Sequence, residues 1–302
     1  MQLGIVTPIV NLNPRFEAPA WERDGGISDV IAVAREAERL GYGWISCPEH
    51  IAIPEEVATV RGGRYWDPLV TLSFVASSTT TIGLLSHVLV LGYHHPLEIV
   101  KRYGTLDVAS GGRLILGVGV GSLQGEFALL GAEFDDRGSR ADDALRAIRV
   151  SFGQRRPSYS GTHYGYSGFF VEPSGLDRPL SIWVGGRTRR SLRRALELGD
   201  GWIPFGLAHD ELKAMLGAAP VAAEIARRAD RAEGAGPFEL ILAPEPALDP
   251  VGHPGAASAT LEAYAELGAT GLSLRFRHRS RDHYMEQLAA MAQVTADRAG
   301  GA

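Results

Sequence analysis

Read as hydrophobic and polar positions, the chain alternates between short apolar runs and longer stretches with one apolar face. Leu3–Thr7, Trp44–Ser46 and Ile82–Val90 are continuous apolar runs bounded by turn residues, the pattern of buried strands. Ser28–Gly41 has helical spacing, with Ser28 placed to cap its start and Gly41 to end it in a left-handed conformation. Asp67-Pro68 is a cap followed by a first-turn proline, and opens a helix running to Ser78. A further helix from Pro96 to Ala109 ends at Ser110-Gly111-Gly112. The strand after it is unusual. Leu114, Ile115 and Leu116 are apolar, and then Gly117, Gly119 and Gly121 alternate with Val118 and Val120. Strand side chains point to opposite faces by turns, so one face of this strand is bare. Such glycines mark a bulge or a close approach to the backbone.

The alternation breaks over Ser122–Pro179, which contains a helix near Ser139–Phe152 and a polar, aromatic stretch that reads as a small hairpin. It then resumes. Ser181–Val184, Gly201–Phe205, Phe238–Ala243 and Gly271–Phe276 read as strands. Thr188–Leu198, His209–Ala232, Ala256–Leu267 and Arg281–Asp297 read as the helices between and after them. Strand–helix alternation argues for a parallel sheet, and eight such units argue for a closed (β/α)8 TIM barrel with an excursion after strand 4. An open doubly wound sheet is the other architecture with this pattern. No linker divides the chain, so residues 1–302 are expected to form a single domain. Barrel chemistry sits at the C-terminal strand ends, and that rule selects the residues to weigh.

The bare glycine face ends at Gly119-Val120-Gly121-Ser122, where a flat ring or a phosphate could lie against backbone. A tight barrel corner would use the same glycines. After the fifth strand, Gly185-Gly186-Arg187 precede a helix that Thr188 can cap. Helix N-termini offer unpaired amides and a partial positive charge, so this turn is a candidate phosphate clamp. Arg189, Arg190, Arg193 and Arg194 read as a solvated helix face. Glu49 and His50 follow the second strand; His50 is a candidate proton donor or acceptor, with Glu49 to tune it. Ser86-His87 sits inside an apolar run and could mark a bulge. Tyr93, His94 and His95 lie beyond the third strand and are candidate cleft residues; no third ligand follows at metal-binding spacing, so no metal is expected. The Ser122–Pro179 excursion and the loop Pro48–Trp66 are expected to wall the substrate pocket.

Composition narrows the class. A hydrophobic fraction of 45% over 302 residues is that of a globular protein with a sizeable core. A net charge of −5 gives no sign of a nucleic-acid surface. The longest apolar run, Thr81–Gly92, is too short to span a bilayer and contains His87. Cys47 is the sole cysteine, which excludes an internal disulfide and suits a reducing compartment. A soluble, cytoplasmic protein acting on a small molecule is expected, with no nucleic-acid or membrane partner.

Three segments carry a resemblance: "GYGWISCPEH", the run from "VLVLGYHHPLEIVKRYG" through "RADDALRAIR", and "RPLSIWVGGRTRRSLRRALELGDGWIP". Together they resemble the bacterial luciferase-like family, particularly its branch dependent on the deazaflavin coenzyme F420. The resemblance implies a barrel holding a flavin-like ring over the strand ends. It implies a non-proline cis peptide near Ser86–His87–Val88 behind that ring, phosphate near Gly185-Gly186, and backbone of Val120–Ser122 facing the cofactor. His50 matches a histidine near the reactive centre of sugar-phosphate dehydrogenases in that branch, and Glu49 an aspartate beside it. Those enzymes carry a glutamate where Ser122 stands and a tryptophan where Pro54 stands, so the resemblance does not extend to their substrate. It implies hydride transfer between F420 and a small organic substrate. The alternatives are an FMN-dependent monooxygenase and a non-catalytic flavin-binding protein. Homodimers occur in the family.

Overall fold

The computed structural model describes residues 1–14, 18–229 and 237–300. Eight parallel strands close into a barrel: β1 (Gln2–Val6), β2 (Trp44–Cys47), β3 (Gly83–Ser86), β4 (Leu114–Gly119), β5 (Ser181–Gly185), β6 (Gly201–Ile203), β7 (Glu239–Leu242) and β8 (Gly271–Leu274). Each pairs in parallel with the next, and β1 closes the ring on β8 with Leu3 opposite Leu272. The TIM barrel expected from the alternation is the observed fold.

The lumen is filled by Trp44, Leu85, Trp183, Ile203 and Ile241, which form a cluster separate from the larger core between strands and helices. Trp44 and Trp183 meet edge to face at 5.2 Å. Their size dictates glycine on neighbouring strands: a Cβ at Gly4 would lie 2.0 Å from the Trp44 ring, and one at Gly271 2.6 Å from it. Burying each such side chain contributes about 1.5–3 kcal/mol. Because Gly271 faces the lumen, the period of two points Ser273 and Arg275 inward as well.

Helix signals were legible with local corrections. Asp67 Oδ1 accepts the Val70 amide at 2.8 Å and caps Pro68–Ser78 as expected. Gly41 sits at φ +82° just past the helix Ile27–Arg39. That helix begins earlier than expected: Gly26, not Ser28, is the cap, because Asp29 reaches back to the Gly26 amide at 3.0 Å. The expected strand Ile82–Val90 is broken. β3 stops at Ser86, the His87–Val88 peptide is cis, and Leu89–Val90 resume pairing with β4. The expected helix His209–Ala232 is two helices, His209–Leu216 and Ala219–Ala229, parted at Gly217-Ala218; its last three residues lie outside the described ones. The excursion contains helix Arg137–Ser151 and a hairpin pairing Tyr159–Ser160 with Gly165–Tyr166. Asp143 pins that hairpin down, accepting from Tyr159 Oη at 2.5 Å and from the amides of His163 and Tyr164 at 2.6 and 3.0 Å. Among the described residues no helix is long and apolar enough to cross a membrane.

Candidate functional site

Parallel strands put all eight C-terminal ends on one rim. The rim therefore brings together Glu49 and His50 after β2, His87 and Val88 after β3, Val120–Ser122 after β4, and Gly186–Thr188 after β5. The valine–glycine ribbon and the 185–188 turn lie on adjacent strands, with Val118 paired to Val184.

The bare glycine face is not open. A Cβ at Gly117 would lie 1.9 Å from the Ser86 carbonyl oxygen. At Gly119 it would meet Val88 Cγ2 at 2.7 Å, and at Gly185 Val88 Cγ1 at 2.6 Å. Gly121, at φ +78°, would meet Phe127 at 2.5 Å. These glycines make room for the chain that follows β3 and for Phe127. They do not themselves form a floor for a ligand. What a ligand at the mouth would meet is the partly exposed Val88, seated between β4 and β5, and the partly exposed Val120. Beside Val88, His87 Nε2 is buried with no hydrogen-bond partner. Burial, reinforced by the positive charge of Arg275, holds the His87 ring at about 4, so it is neutral near pH 7.

The 185–188 turn has the expected form. Gly186 is at φ +111°, and Thr188 Oγ1 accepts the Ser191 amide at 3.2 Å while Ser191 Oγ accepts the Thr188 amide at 3.1 Å. The first-turn amides of Arg189 and Arg190 thus remain for a ligand. Arg187 is exposed beside them. Of the four arginines read as a solvated face, Arg194 is a correction: it is 6% exposed, pairs with Asp142 and donates to the Gly138 carbonyl at 3.1 Å. Ser122 is exposed and its Oγ accepts from Arg61 at 3.0 Å, while Arg137 donates to the Gly121 carbonyl at 3.3 Å.

His50 has a partner other than the expected one. Its Nδ1 lies 2.7 Å from Oε2 of Glu126, on the short helix Gln124–Leu129 beyond β4. Glu126 is 1% exposed. It also accepts the amides of Ile51 at 2.6 Å and Ala52 at 3.1 Å, and Tyr93 Oη at 2.6 Å. Burial works against its charge, but the bonds from His50, Tyr93 and Ala52 outweigh it and hold the carboxyl below the usual range. An ionised Glu126 can only accept, so His50 keeps its proton on Nδ1 and presents Nε2 as the atom that exchanges a proton. The Tyr65 ring packs edge-on against the imidazole at 4.6 Å.

Glu49, adjacent in sequence, points elsewhere. Its Oε2 accepts the Val90 amide at 2.6 Å and its Oε1 meets His94 Nε2 at 2.7 Å. Burial opposes the charging of His94, but Glu49 overcomes it and raises the imidazole above its usual value. His95 caps the helix Pro96–Ala109, accepting the Leu97 amide at 3.2 Å. The two histidines thus have separate structural partners. A cavity of about 610 Å³ lies across the mouth from β4 and β5, lined by loops after β1, β7 and β8. The Pro48–Trp66 loop reaches it through the Tyr65–Asn11 bridge. The excursion does not line it.

Comparison with known proteins gives three kinds of likeness. The model of the luciferase-like monooxygenase family matches residues 1–300. An uncharacterised protein of Mycobacterium tuberculosis is 28% identical over 222 residues, covering 70% of this chain and 74% of that one. Among solved structures, the monooxygenase RslO1 from Streptomyces bottropensis superposes with a TM-score of 0.76 at 19% identity, covering 99% of both chains. An F420-dependent secondary alcohol dehydrogenase, solved in complex with an F420–acetone adduct, superposes with a TM-score of 0.72 at 14% identity, covering 97% of both chains.

Proposed function

The chain belongs to the luciferase-like monooxygenase family, and from that premise we propose that it is an F420-dependent oxidoreductase transferring a hydride between the deazaflavin and a small organic substrate. The observation that carries this reading is the buried Glu126 behind His50, which leaves one imidazole nitrogen, Nε2, to take or give a proton at the barrel mouth. Hydride transfer to a carbonyl, or from an alcohol, requires such a proton partner.

The residues present fit a flat, phosphate-bearing cofactor. Val88 and Val120 offer apolar contact where the expected glycine floor is closed, and the unpartnered His87 Nε2 offers a polar contact to a ring. Gly186, Arg187 and the first-turn amides after Thr188 would hold the phosphate. When bound, F420 supplies a carbon that donates or accepts hydride. The chain's own residues do the rest. Glu126 fixes the His50 tautomer and ring plane. His50 Nε2 receives the hydroxyl proton as an alcohol is oxidised, or delivers it in the reverse direction. Tyr65 closes one face of the imidazole.

Membership of a family described as luciferase-like monooxygenases supports a second reading, an FMN-dependent monooxygenase using the same turn. Side-by-side fluorescence titration with oxidised and reduced F420 and FMN separates the two. F420 binding followed by turnover with an alcohol, enone or imine supports the first; FMN binding with oxygen consumption replaces it with the second. Binding of F420 or FMN with neither substrate turnover nor oxygen consumption would leave only a flavin-binding protein, and turnover lost in His50→Ala would exclude that reading. The small-molecule substrate, the cytoplasmic setting and a homodimer belong to this same proposal.

A further inference from the structure

The two stretches that hold the His50–Glu126 pair are apolar where a surface segment would ordinarily be polar. Ile51, Ala52, Ile53 and Pro54 follow His50 directly. From Leu123 to Ala132 the only charged residue is Glu126, and it is buried. A short helix at the surface normally turns a charged or polar side to water. The helix Gln124–Leu129 instead turns Ala128 and Leu129 outward, with Leu129 69% exposed and the next residue, Leu130, 39% exposed. On the other stretch Ile51 and Val60 are each 51% exposed. Single exposed apolar residues are ordinary, but a group of them bordering one site marks a place of contact.

The two stretches are fastened side by side. Glu126 accepts the amides of Ile51 and Ala52 at 2.6 and 3.1 Å. A Cβ at Gly125 would lie 3.2 Å from the Pro54 ring. Arg61, at the end of the helix Glu55–Arg61, donates to Ser122 Oγ at 3.0 Å. The helix Glu55–Arg61 therefore runs along the start of the β4 loop, tied to it at both ends. Leu129 and Leu130 follow Glu126 by three and four residues, so they share the helix face that carries Glu126 towards the Ile51 amide. Ile51 and Val60 thus border His50 from the β2 side, and Leu129 and Leu130 from the β4 side. The exposed acids of this rim are Glu55 and Glu56, in the first turn of their helix, and Arg61 is bonded to Ser122.

We infer that Ile51, Val60, Leu129 and Leu130 receive an uncharged alkyl or aryl substituent of the substrate, while the carbon that exchanges hydride stands at His50 Nε2. The inference rests on the oxidoreductase reading given above and names the class of substrate. A hydrocarbon group laid over these side chains removes its own surface and theirs from water together, a gain that a polar substituent does not make. Glu55 and Glu56 repel an anionic tail at the same rim. The four residues act on which substrate is chosen, and the proton exchange stays with His50.

The test is isothermal titration of the full chain with 2-octanone and with acetone, each with and without saturating F420. The original protein is compared with Leu129→Ser/Leu130→Ser, with Leu129→Ser alone, and with Leu129→Met. Leu129 is mostly exposed, so its single substitution is the one least able to disturb folding. A fully covered CH2 is worth about fourfold in affinity, so 2-octanone should bind about tenfold or more tightly than acetone. That ratio should fall about threefold or more in Leu129→Ser, further in the double variant, and stay in Leu129→Met, which keeps the apolar surface. No preference for 2-octanone, or the same preference in all variants, overturns the inference. Light scattering on the same samples checks the other occupant: an original protein that is dimeric and a Leu129→Ser protein that is monomeric would mean that a second copy covers this rim, and would also overturn it. F420 fluorescence reads the oxidoreductase proposal separately. A preference lost in the serine variants, without F420 binding, defeats that proposal and leaves the apolar contact; F420 binding with alcohol turnover and no chain-length preference defeats the apolar contact alone.

Discussion

Glu126→Gln exchanges one carboxylate oxygen for an amide nitrogen inside a cluster of four donors. Oε1 accepts two main-chain amides, and Oε2 faces His50 Nδ1 and Tyr93 Oη. The glutamine oxygen can keep the two main-chain bonds, which places the amide nitrogen against His50 and Tyr93. That nitrogen donates, so His50 must accept at Nδ1 and carry its proton on Nε2. The exchanging atom is then blocked as a base. General acid–base assistance contributes about 10²–10⁴-fold, and loss of that order is expected in the hydride-transfer rate, about 3–5 kcal/mol of barrier. Weakening charge-assisted bonds to neutral ones lowers folding stability by about 1–3 kcal/mol. Stopped-flow single turnovers with saturating F420, with affinity measured separately by fluorescence, isolate the chemical step. Tyr93→Phe is the comparison: it removes one bond to the same oxygen and leaves the His50 contact, so its rate should fall less than tenfold.

The pH dependence has a definite sign. Glu126's carboxyl lies below its ordinary range in the folded protein. Its contribution to stability is therefore complete above the unfolded value, about 4.3, and is lost as pH falls through the folded one. Glu126→Gln should remove that part of the acid sensitivity. A glutamine variant with the original single-turnover rate and acid profile would refute the dyad; a rate lost only in proportion to F420 affinity would make Glu126 a binding residue.

Three further outcomes follow from the geometry. His87 is held neutral at about 4, against about 6.5 in the unfolded chain, so stability should fall as pH drops from about 6.5 towards 4, by at most about 3 kcal/mol; urea unfolding of His87→Gln at both ends of that window should show a flatter dependence. Arg187→Ala should weaken cofactor binding about tenfold or more, in line with charge-assisted bonds of about 1.5–3 kcal/mol, and an unchanged fluorescence titration would remove Arg187 from the site. Gly119→Ala places a methyl 2.7 Å from Val88 Cγ2, so it should destabilise by about 1–3 kcal/mol; Gly119→Ala/Val88→Ala should recover part of that in denaturant melts, and no recovery would mean that Val88 is not the obstacle.

The barrel was legible because its signals are local. Apolar runs, Asp67-Pro68, Thr188 and Gly41 each act within a few residues of where they stand, and each appears where its chemistry requires. The glycine alternation was legible as a demand for space, but not for whose space. A bare strand face looks the same in sequence whether a ring or a neighbouring side chain fills it, and here Val88 fills it from the far side of a break in β3. The Gly26 cap was hidden for a related reason. Its stabilising group belongs to Asp29, and a glycine with an acid three residues on is a weaker sequence sign than a serine.

The carboxylates of the site show where local reading stops. Glu49 and His50 are neighbours in the chain, yet Glu49 serves the loop after β3, through the Val90 amide and His94. That same loop sends Tyr93 to Glu126, beyond β4. Glu126, in turn, comes back to His50, 76 residues away, beyond β2. Three successive loops are thus tied in a closed ring by buried carboxylates, each serving a histidine from a different loop. No periodicity encodes such a ring, because its members share neither a helix face nor a strand register. Its physical consequence is rigidity. Two buried acids, each with its bonds satisfied, hold three loops so that His50 Nε2 stays at one point of the mouth. Catalytic assistance depends on that fixed placement.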